Sequence, residues 1–213
     1  MTSWTVQIAQ TLIPITLDGD SDRLVVLAHG AGSHMEHRTM LWLSGLVRQA
    51  GASVARFNFA YRVLGKSMPD RMPVLMETYR AVLADFRSRL SPRRLIIGGH
   101  SMGGRVATML AAGGDELAGL LLFAYPLHPP GQFEKMRDAH LPSTRYPVLQ
   151  FSGTRDEFCR RDLMEAVPVG EHYEVAWLEG ADHSYSVAKA SGRTKKDVET
   201  EIVQQLKLWM GEI

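Results

Sequence analysis

Three features of the sequence predict an α/β fold with a mostly parallel central sheet of about six to eight strands and helices on both faces. Short apolar runs recur along the chain, segments of helical periodicity lie between them, and a length of 213 residues suits one hydrophobic core rather than two. Runs that are apolar throughout are typical of strands buried on both faces, as in a parallel sheet. We therefore expect a single domain over residues 1–213.

The strands are assigned from the apolar runs. Alternation of apolar and polar residues in "TVQI" and "LIPITL", within the first 20 residues, predicts one or two antiparallel edge strands. Six later runs predict the buried strands, at residues 23–30, 53–60, 94–101, 118–126, 146–153 and 173–180.

The segments between these runs predict helices. Residues 40–51 end at a glycine, residues 74–90 stop before a Ser-Pro pair, and residues 103–114 end at two glycines, all of which are typical of helix ends. Residues 194–210 have an amphipathic pattern and predict a closing helix. Strands that alternate with helices imply right-handed crossovers between parallel strands.

Composition and charge restrict the classes of partner. The chain is 45% hydrophobic and 22% charged, and its net charge of +1 gives no electrostatic reason to expect nucleic acid or acidic lipid as a partner. Cys159 is the only cysteine, so an intrachain disulfide and a Cys-rich zinc site are excluded. The N-terminus lacks the pattern of a leader, and no apolar stretch is long enough to span a bilayer. We expect a cytoplasmic protein without a membrane partner, and the oligomeric state is not indicated.

Residues 99–103, Gly-His-Ser-Met-Gly, form a G-x-S-x-G pattern where a predicted strand meets a predicted helix. A nucleophile elbow requires this context, because its serine takes strained backbone angles and small neighbours allow strand and helix to pack closely. Ser101 is therefore the candidate nucleophile, and His100 is expected to point away from it. In a chain with 19 glycines the pattern alone is weak, and a turn serine in a glycine-rich loop is the alternative.

A serine nucleophile needs a histidine base and a carboxylate that orients the base. In this type of fold they follow the serine in the order acid, then histidine, each after a later strand. Asp156 follows the predicted strand 146–153, and His183 follows the predicted strand 173–180. Glu157 and Asp182 are the alternatives for the acid, but Glu157 would point elsewhere and Asp182 adjoins the histidine too closely to orient its ring.

Two backbone N–H groups are candidates for an oxyanion hole. One belongs to Met102, at the N-terminal end of the predicted helix that Ser101 begins. The other belongs to Ala31, with Gly32 as the next candidate, because His29-Gly30-Ala31-Gly32 resembles the histidine-glycine loop of esterases. A phosphate-binding glycine turn is the alternative, but neither a Walker lysine nor G-x-G-x-x-G is present.

With these motifs, the chain resembles the α/β-hydrolases from about residue 12 to its C-terminus. The segments "HGAG", "ARFNFAYR", "GGHSMGGRVA", "YPLHPPG" and "GTRDEF" resemble a small, lidless group of predicted hydrolases. The chain is also similar to dienelactone hydrolases and to the hydrolase-like region of a subunit of a histone-acetyltransferase complex. The resemblance implies an α/β-hydrolase fold with Ser101, Asp156 and His183 as the triad. Dienelactone hydrolases carry a cysteine nucleophile, so their substrate is not implied, and the last relative implies that the fold can serve as a scaffold.

The pocket is predicted to be shallow and open. Only about 20 residues, "PLHPPGQFEKMRDAHLPSTR", precede the strand that leads to Asp156, and their prolines disfavour a long lid helix. The candidates to line the pocket are Gly32, Met35, Tyr61, Phe158 and Tyr185, and the large side chains among them are equally compatible with the core. Arg105 either holds a substrate carboxylate or pairs with a neighbouring loop. Cys159 is expected to be a small buried residue with an apolar role rather than a nucleophile.

The sequence therefore predicts a serine hydrolase of the carboxylesterase type, with small or short-acyl esters as substrates and no metal or organic cofactor. A thioesterase, an acyltransferase or a peptidase would use the same residues. From a different class, the alternative is a non-catalytic binding module with a hydrolase fold.

Overall fold

A computed structural model describes residues 1–114 and 116–213, and within them eight strands form one sheet. The strands are β1 (Thr2–Ile8), β2 (Thr11–Asp18), β3 (Arg23–Ala28), β4 (Ser53–Phe57), β5 (Arg94–His100), β6 (Gly119–Phe123), β7 (Val148–Gly153) and β8 (Tyr173–Leu178). Their order is β1-β2-β4-β3-β5-β6-β7-β8. The β1–β2 and β2–β4 pairs are antiparallel, and the others are parallel. The predicted mostly parallel α/β sheet is confirmed.

Helices cover both faces of the sheet. The helices of the described residues are α1 (Arg38–Gln49), α2 (Ala60–Val63), α3 (Met72–Leu90), α4 (Met102–Ala112), α5 (Arg161–Glu165) and α6 (Lys195–Glu212). Buried side chains of α3 and α4 belong to one core cluster, and those of α1 and α6 belong to the other. The amphipathic patterns of the sequence therefore correspond to two separate cores, one on each side of the sheet.

Strand β3 supplies both cores because successive side chains of a strand point to opposite faces. Leu24 and Val26 lie in the cluster with α3 and α4, whereas Val25 and Leu27 lie in the cluster with α1 and α6. All four side chains are at most 1% exposed. Burial of each contributes roughly 1.5–3 kcal/mol to folding, which explains why residues 24–27 are all apolar.

The ends of the long helices follow local chemistry. Helix α6 begins with a capping box, in which Thr194 Oγ1 accepts from the N–H of Asp197 and the Asp197 carboxylate accepts from the N–H of Thr194. Helix α3 ends where Ser91 takes a left-handed conformation with φ 43°, immediately before a proline. These signals mark where α6 begins and where α3 ends.

All six buried strands are shorter than the apolar runs that predicted them, and the difference is largest for β6 and β4. Strand β6 ends at Phe123 because Ala124 has a positive φ of 51°, which turns the chain out of the strand. Strand β4 ends at Phe57, and Ala60 already begins α2. Phe59 and Ala124 are nevertheless fully buried, so these runs are apolar because they are in the core, beyond the point where strand pairing stops.

The connection between β6 and β7 confirms the minimal lid. Residues 124–147, all of them described, contain one short 3-10 helix at Leu141–Ser143 and otherwise turns and irregular chain.

Among the helices in the described part of the chain, none combines the length and the apolar character needed to cross a membrane.

Candidate active site

Ser101 lies at the junction of β5 and α4 in a strained backbone conformation. Its φ is 50° and its ψ is −115°, a combination that L-residues rarely adopt. Backbone hydrogen bonds on both sides stabilise this conformation. Ser101 N–H donates to the carbonyl of Phe123 over 2.8 Å, and Ser101 C=O accepts from Arg105 N–H over 3.1 Å. The residue is only partly buried. The geometry is that of a nucleophile elbow, in which a serine is presented at the end of a strand.

The glycines around Ser101 are required by close approach of the backbone. A Cβ atom on Gly99 or Gly103 would lie 2.3 or 2.2 Å from the carbonyl oxygen of Ala28 on β3. A third glycine, Gly98, lies outside the G-x-S-x-G pattern, yet a Cβ there would lie 1.8 Å from the carbonyl oxygen of Leu121 on β6. Side chains at these positions are excluded, which explains why the elbow is so rich in glycine.

His183 and Asp156 form a hydrogen-bonded pair after β8 and β7. Nδ1 of His183 lies 2.9 Å from each carboxylate oxygen of Asp156. The Asp156 side chain has no exposed surface, whereas 22% of the His183 side chain is exposed. Because a carboxylate only accepts hydrogen bonds, it holds the proton on Nδ1 and leaves Nε2 as the basic nitrogen. The ring of Phe158 packs on the imidazole with centroids 4.3 Å apart.

The two alternative acids do not contact the imidazole. Glu157 is exposed. Asp182 Oδ1 accepts hydrogen bonds from the N–H groups of Ser184 and Ser186, over 2.9 and 3.0 Å, and so forms the turn that carries His183. Asp156 is therefore the acid that the structure brings to His183.

His100 supports the loop that carries His183. Its Nε2 donates to the backbone carbonyl of His183 over 3.2 Å, and the two rings lie 5.2 Å apart. Burial, followed by the neighbouring His183, lowers the pKa of His100 to about 4, so the ring is neutral near pH 7. His100 also lines the cavity described below. It therefore lies at the edge of the site, where it packs against the loop that carries His183.

Ser101 and His183 line the same cavity, which has a volume of about 520 Å³. Among the hydrogen bonds of residues 1–114 and 116–213, none joins Ser101 Oγ to His183 Nε2. The serine side chain has one rotatable bond to its hydroxyl, and such bonds in substrate-free sites are often long or misaligned. The structure therefore brings the two side chains to one cavity without the final hydrogen bond.

The candidate oxyanion groups border this cavity. Met102 is the first residue of α4, and Ala31 and Gly32 lie in a turn in which Ser33 N–H donates to the carbonyl of Gly30 over 3.2 Å. Gly32 has a φ of 67°, which favours glycine at the third position of such a turn.

Polar side chains of β4 and its following loop hold the segment after this turn. Arg56 Nη1 donates to the carbonyl of Met35 over 2.8 Å, and Asn58 Oδ1 accepts from the N–H of Met35 over 2.8 Å. Arg56 also pairs with Asp18 and Glu36, each over 3.1 Å. The position of the turn is therefore set by contacts with the sheet.

The cavity lining agrees with the predicted pocket at two residues and differs at three. Gly32 and Phe158 line the cavity. Tyr61 and Tyr185 do not, because both are fully buried in the two cores on opposite faces of the sheet. Met35 is not among the lining residues either. For the two tyrosines, the structure supports the core position that the sequence left as the alternative.

Other cavity residues were not predicted from the sequence. Arg137, Pro126 and Ser184 line the cavity, beside Arg105, which the sequence had already offered as a candidate. His37 lines it and also caps α1 by accepting from Thr39 N–H. No local pattern marks these residues, because they reach the cavity from separate loops. Cys159 is buried, and burial raises its pKa to about 12, so the group is a neutral thiol near pH 7.

The fold is shared with many solved structures. An α/β serine hydrolase homologue from Coxiella burnetii is 20% identical with a TM-score of 0.76, over 96% of this chain and 97% of that chain. An α/β serine hydrolase without a lid from Xanthomonas campestris is 17% identical with a TM-score of 0.75, over 98% of this chain and 94% of that one. A dienelactone hydrolase from Anabaena variabilis is 14% identical with a TM-score of 0.74, over 99% and 97%.

The sequence itself matches a family profile described as "Alpha/beta hydrolase domain" over residues 21–211. This range includes the elbow, the turn at Ala31 and the Asp156–His183 pair. It also includes every strand except β1 and β2. The chain therefore belongs to the α/β-hydrolase family.

Proposed function

We propose that this protein is a serine hydrolase of the carboxylesterase type, with Ser101, His183 and Asp156 as its triad. The observation that carries the proposal is the buried Asp156 carboxylate, 2.9 Å from Nδ1 of His183, at a cavity that the strained Ser101 also lines. A hydroxyl, an imidazole and a carboxylate in this arrangement supply a nucleophile, a base and the group that orients the base.

The proposed reaction has two steps. Ser101 Oγ attacks the ester carbonyl carbon while its proton passes to His183 Nε2, and the carbonyl electron pair moves onto the oxygen. The backbone N–H groups of Met102 and Ala31 stabilise that oxyanion. When the carbon–oxygen bond to the leaving group breaks, His183 returns the proton to the alcohol. Water then attacks the acyl-enzyme in the same manner and releases the acid.

The shape of the site favours short acyl groups. The cavity of about 520 Å³ is open, and the loop at residues 124–147, which borders it at Pro126 and Arg137, contains turns rather than a helical lid. Long-chain esters gain from a large apolar surface, which an open cavity bordered by several polar side chains does not offer. We expect acetate and butyrate esters to be hydrolysed faster than long-chain emulsified esters, and the reverse order would contradict this preference.

A fluorophosphonate probe tests the proposal directly, because it reacts with an activated serine and not with an ordinary hydroxyl. The expected result is a covalent label on Ser101, located by mass spectrometry, and hydrolysis of p-nitrophenyl acetate by the wild type. The Ser101→Ala variant should lose the label and reduce turnover by a factor on the order of 10⁶ if the triad acts as a unit. Ser67→Ala, at an exposed serine between α2 and α3, is the matched control.

The alternative from another class is a binding module with a hydrolase fold. It predicts that the folded protein is not labelled and that Ser101→Ala retains the background turnover of the wild type. Either result would overturn the proposed function. Labelling without ester hydrolysis would instead favour a thioester, an amide or acyl transfer to another acceptor.

A further inference from the structure

Two arginine side chains, Arg105 and Arg137, line the cavity beside Ser101. The ion pairs formed within residues 1–114 and 116–213 all involve other side chains. Both arginines are half-buried, so water does not fully screen them. The cavity therefore holds two positive charges that no carboxylate of the described chain neutralises.

Arg105 is placed next to the nucleophile by helix geometry. It lies one turn after Ser101 on α4, a rise of about 6 Å along the helix axis. Its Nε is buried and has no hydrogen-bond acceptor within the described residues. A buried guanidinium N–H without an acceptor is unfavourable, so the protein itself does not compensate the charge of this side chain, and an anion in the cavity would do so.

Arg137 reaches the cavity from the loop between β6 and β7, and its backbone is held on both sides. Its N–H donates to the carbonyl of Leu127 over 2.8 Å, and its own carbonyl accepts from the hydroxyl of the buried Tyr125 over 2.7 Å. Nη1 donates to the carbonyl of Pro126 over 3.3 Å. This single side-chain bond leaves most of the guanidinium donors available to a ligand.

The two guanidinium groups are close enough to influence each other. Burial, followed by the positive charge of Arg105, lowers the pKa of Arg137 from its ordinary value. Like charges that are held together in a partly buried site destabilise each other unless an anion lies between them. The arrangement is unfavourable for the empty protein, and it becomes favourable when a negatively charged group is bound.

We propose that Arg105 and Arg137 bind a carboxylate of the substrate, so that the preferred esters carry an anionic group a short distance from the reacting carbonyl. Guanidinium groups match a carboxylate with two parallel hydrogen bonds, which gives orientation as well as affinity. The inference rests on the proposed esterase function, and it names the substrate class of the same site. The carboxylate belongs either to the acyl part of the ester or to the alcohol part.

Two pairs of substrates test the proposal and distinguish these sources. In the first pair, phenyl hydrogen glutarate carries the negative charge on the acyl part and is compared with neutral phenyl pentanoate. In the second pair, 3-acetoxybenzoate carries the charge on the alcohol part and is compared with its neutral methyl ester. The quantity measured is the ratio of kcat/KM for the anionic ester to that for its neutral partner, after subtraction of the uncatalysed rate. For one of the pairs this ratio should exceed one in the wild type.

The ratio should fall by about 10- to 100-fold in Arg105→Gln and in Arg137→Gln, because each removes charged hydrogen bonds to the carboxylate. Arg105→Lys keeps the charge without the paired geometry, and its ratio should lie between those of Arg105→Gln and the wild type. The matched control is Arg145→Gln, at an exposed arginine near the C-terminal end of α4. The proposal is wrong if the wild type disfavours the anionic ester in both pairs, or if the cavity variants keep the wild-type ratio.

Failure of the arginine proposal is distinguishable from failure of the esterase proposal. If Ser101 is labelled by a fluorophosphonate and phenyl pentanoate is hydrolysed, but the ratios do not change, only the carboxylate site is refuted. If neither labelling nor hydrolysis occurs, the esterase function is refuted. Calorimetry on Ser101→Ala then still tests the site: phenyl hydrogen glutarate or 3-acetoxybenzoate should bind, and adding Arg137→Gln should weaken that binding by about 10- to 100-fold. Absence of binding, or equal binding to the two proteins, would overturn it.

Discussion

Nδ1 of His183 is shared between the two carboxylate oxygens of Asp156, at 2.9 Å from each, and the carboxylate is shielded from solvent. An acceptor-only group in that position fixes the imidazole tautomer, and in the proposed mechanism it stabilises the imidazolium that forms when Ser101 loses its proton. The hydrogen bond between His183 and Asp156 therefore has the most direct effect on the proposed chemistry, because it decides which imidazole nitrogen can act as a base.

Replacement of the acid tests this relationship. Asp156→Asn keeps the size of the side chain but places an amide beside Nδ1, so that the wrong tautomer is favoured. We expect kcat for a short ester to fall by about 10⁴-fold. Glu157→Gln and Asp182→Asn are the matched controls, because the first residue is exposed and the second only accepts backbone N–H groups in a turn. Equal losses in Asp156→Asn and Asp182→Asn would reassign the acid.

The close packing of the elbow gives a prediction about stability. A Cβ on Gly103 would lie 2.2 Å from the carbonyl oxygen of Ala28, which is backbone and unable to move without shifting β3. Gly103→Ala should therefore lower the free energy of unfolding by at least about 2 kcal/mol, although alanine is the better helix former. Urea unfolding, monitored by circular dichroism, measures this change.

Gly45→Ala is the control for the elbow substitution. Gly45 also lies inside a helix, α1, but a Cβ there meets no atom within 4 Å. The same substitution should stabilise the protein by up to about 1 kcal/mol. If the two variants had the same stability, close contact with β3 would not be the reason for a glycine at residue 103.

The sequence was sufficient for the architecture because its signals are local. Apolar runs mark strands that are buried on both faces, and the glycines at residues 99 and 103 mark the approach of α4 to β3. The cavity lining is different, because it depends on how separate loops meet. Tyr61 and Tyr185 lie beside motifs but turn into the cores, whereas Arg137 lies far from every motif and is brought to the cavity by its hydrogen bond from Tyr125.

The hydroxyl of Tyr79 provides a prediction about the sheet beneath Ser101. Tyr79 is fully buried on α3, and its oxygen accepts from the N–H of Gly98 over 3.0 Å. The same oxygen lies 2.6 Å from the carbonyl of Val26 and 2.9 Å from that of Gly98, and it donates its single proton between them. Removing the hydroxyl leaves buried polar groups of β3 and β5 without a partner.

Tyr79→Phe should therefore lower the free energy of unfolding by about 1–3 kcal/mol. Because Gly98 lies on β5, three residues before Ser101, we also expect kcat to fall. Urea unfolding and ester hydrolysis on the same preparation measure both effects. Full stability in Tyr79→Phe would mean that water or a rearranged strand replaces the hydroxyl.

His29 makes the stability of the protein depend on pH. It is fully buried, its Nδ1 donates to the carbonyl of Gly30 over 2.8 Å, and its Nε2 accepts from the N–H of Phe59 over 3.2 Å. Both nitrogens are used by the neutral ring, so protonation would break the bond from Phe59. Burial, more than the nearby charges, lowers the pKa of His29 from 6.5 to about 4.

Because the unfolded chain binds this proton more readily than the folded one, the stabilising contribution is complete above pH 6.5 and is lost as the pH falls towards 4. The loss between pH 7 and pH 5 is about 2 kcal/mol from this residue alone. His100, whose pKa is lowered in the same way, adds to the slope. Urea unfolding at pH 7, 6 and 5 should therefore show a steeper decline in the wild type than in His29→Asn, whose side chain does not titrate. The variant also loses the hydrogen bonds of the histidine, so the diagnostic quantity is the slope of the free energy of unfolding with pH, not its value at one pH. Equal slopes in the two proteins would show that residue 29 is not the group that takes up the proton.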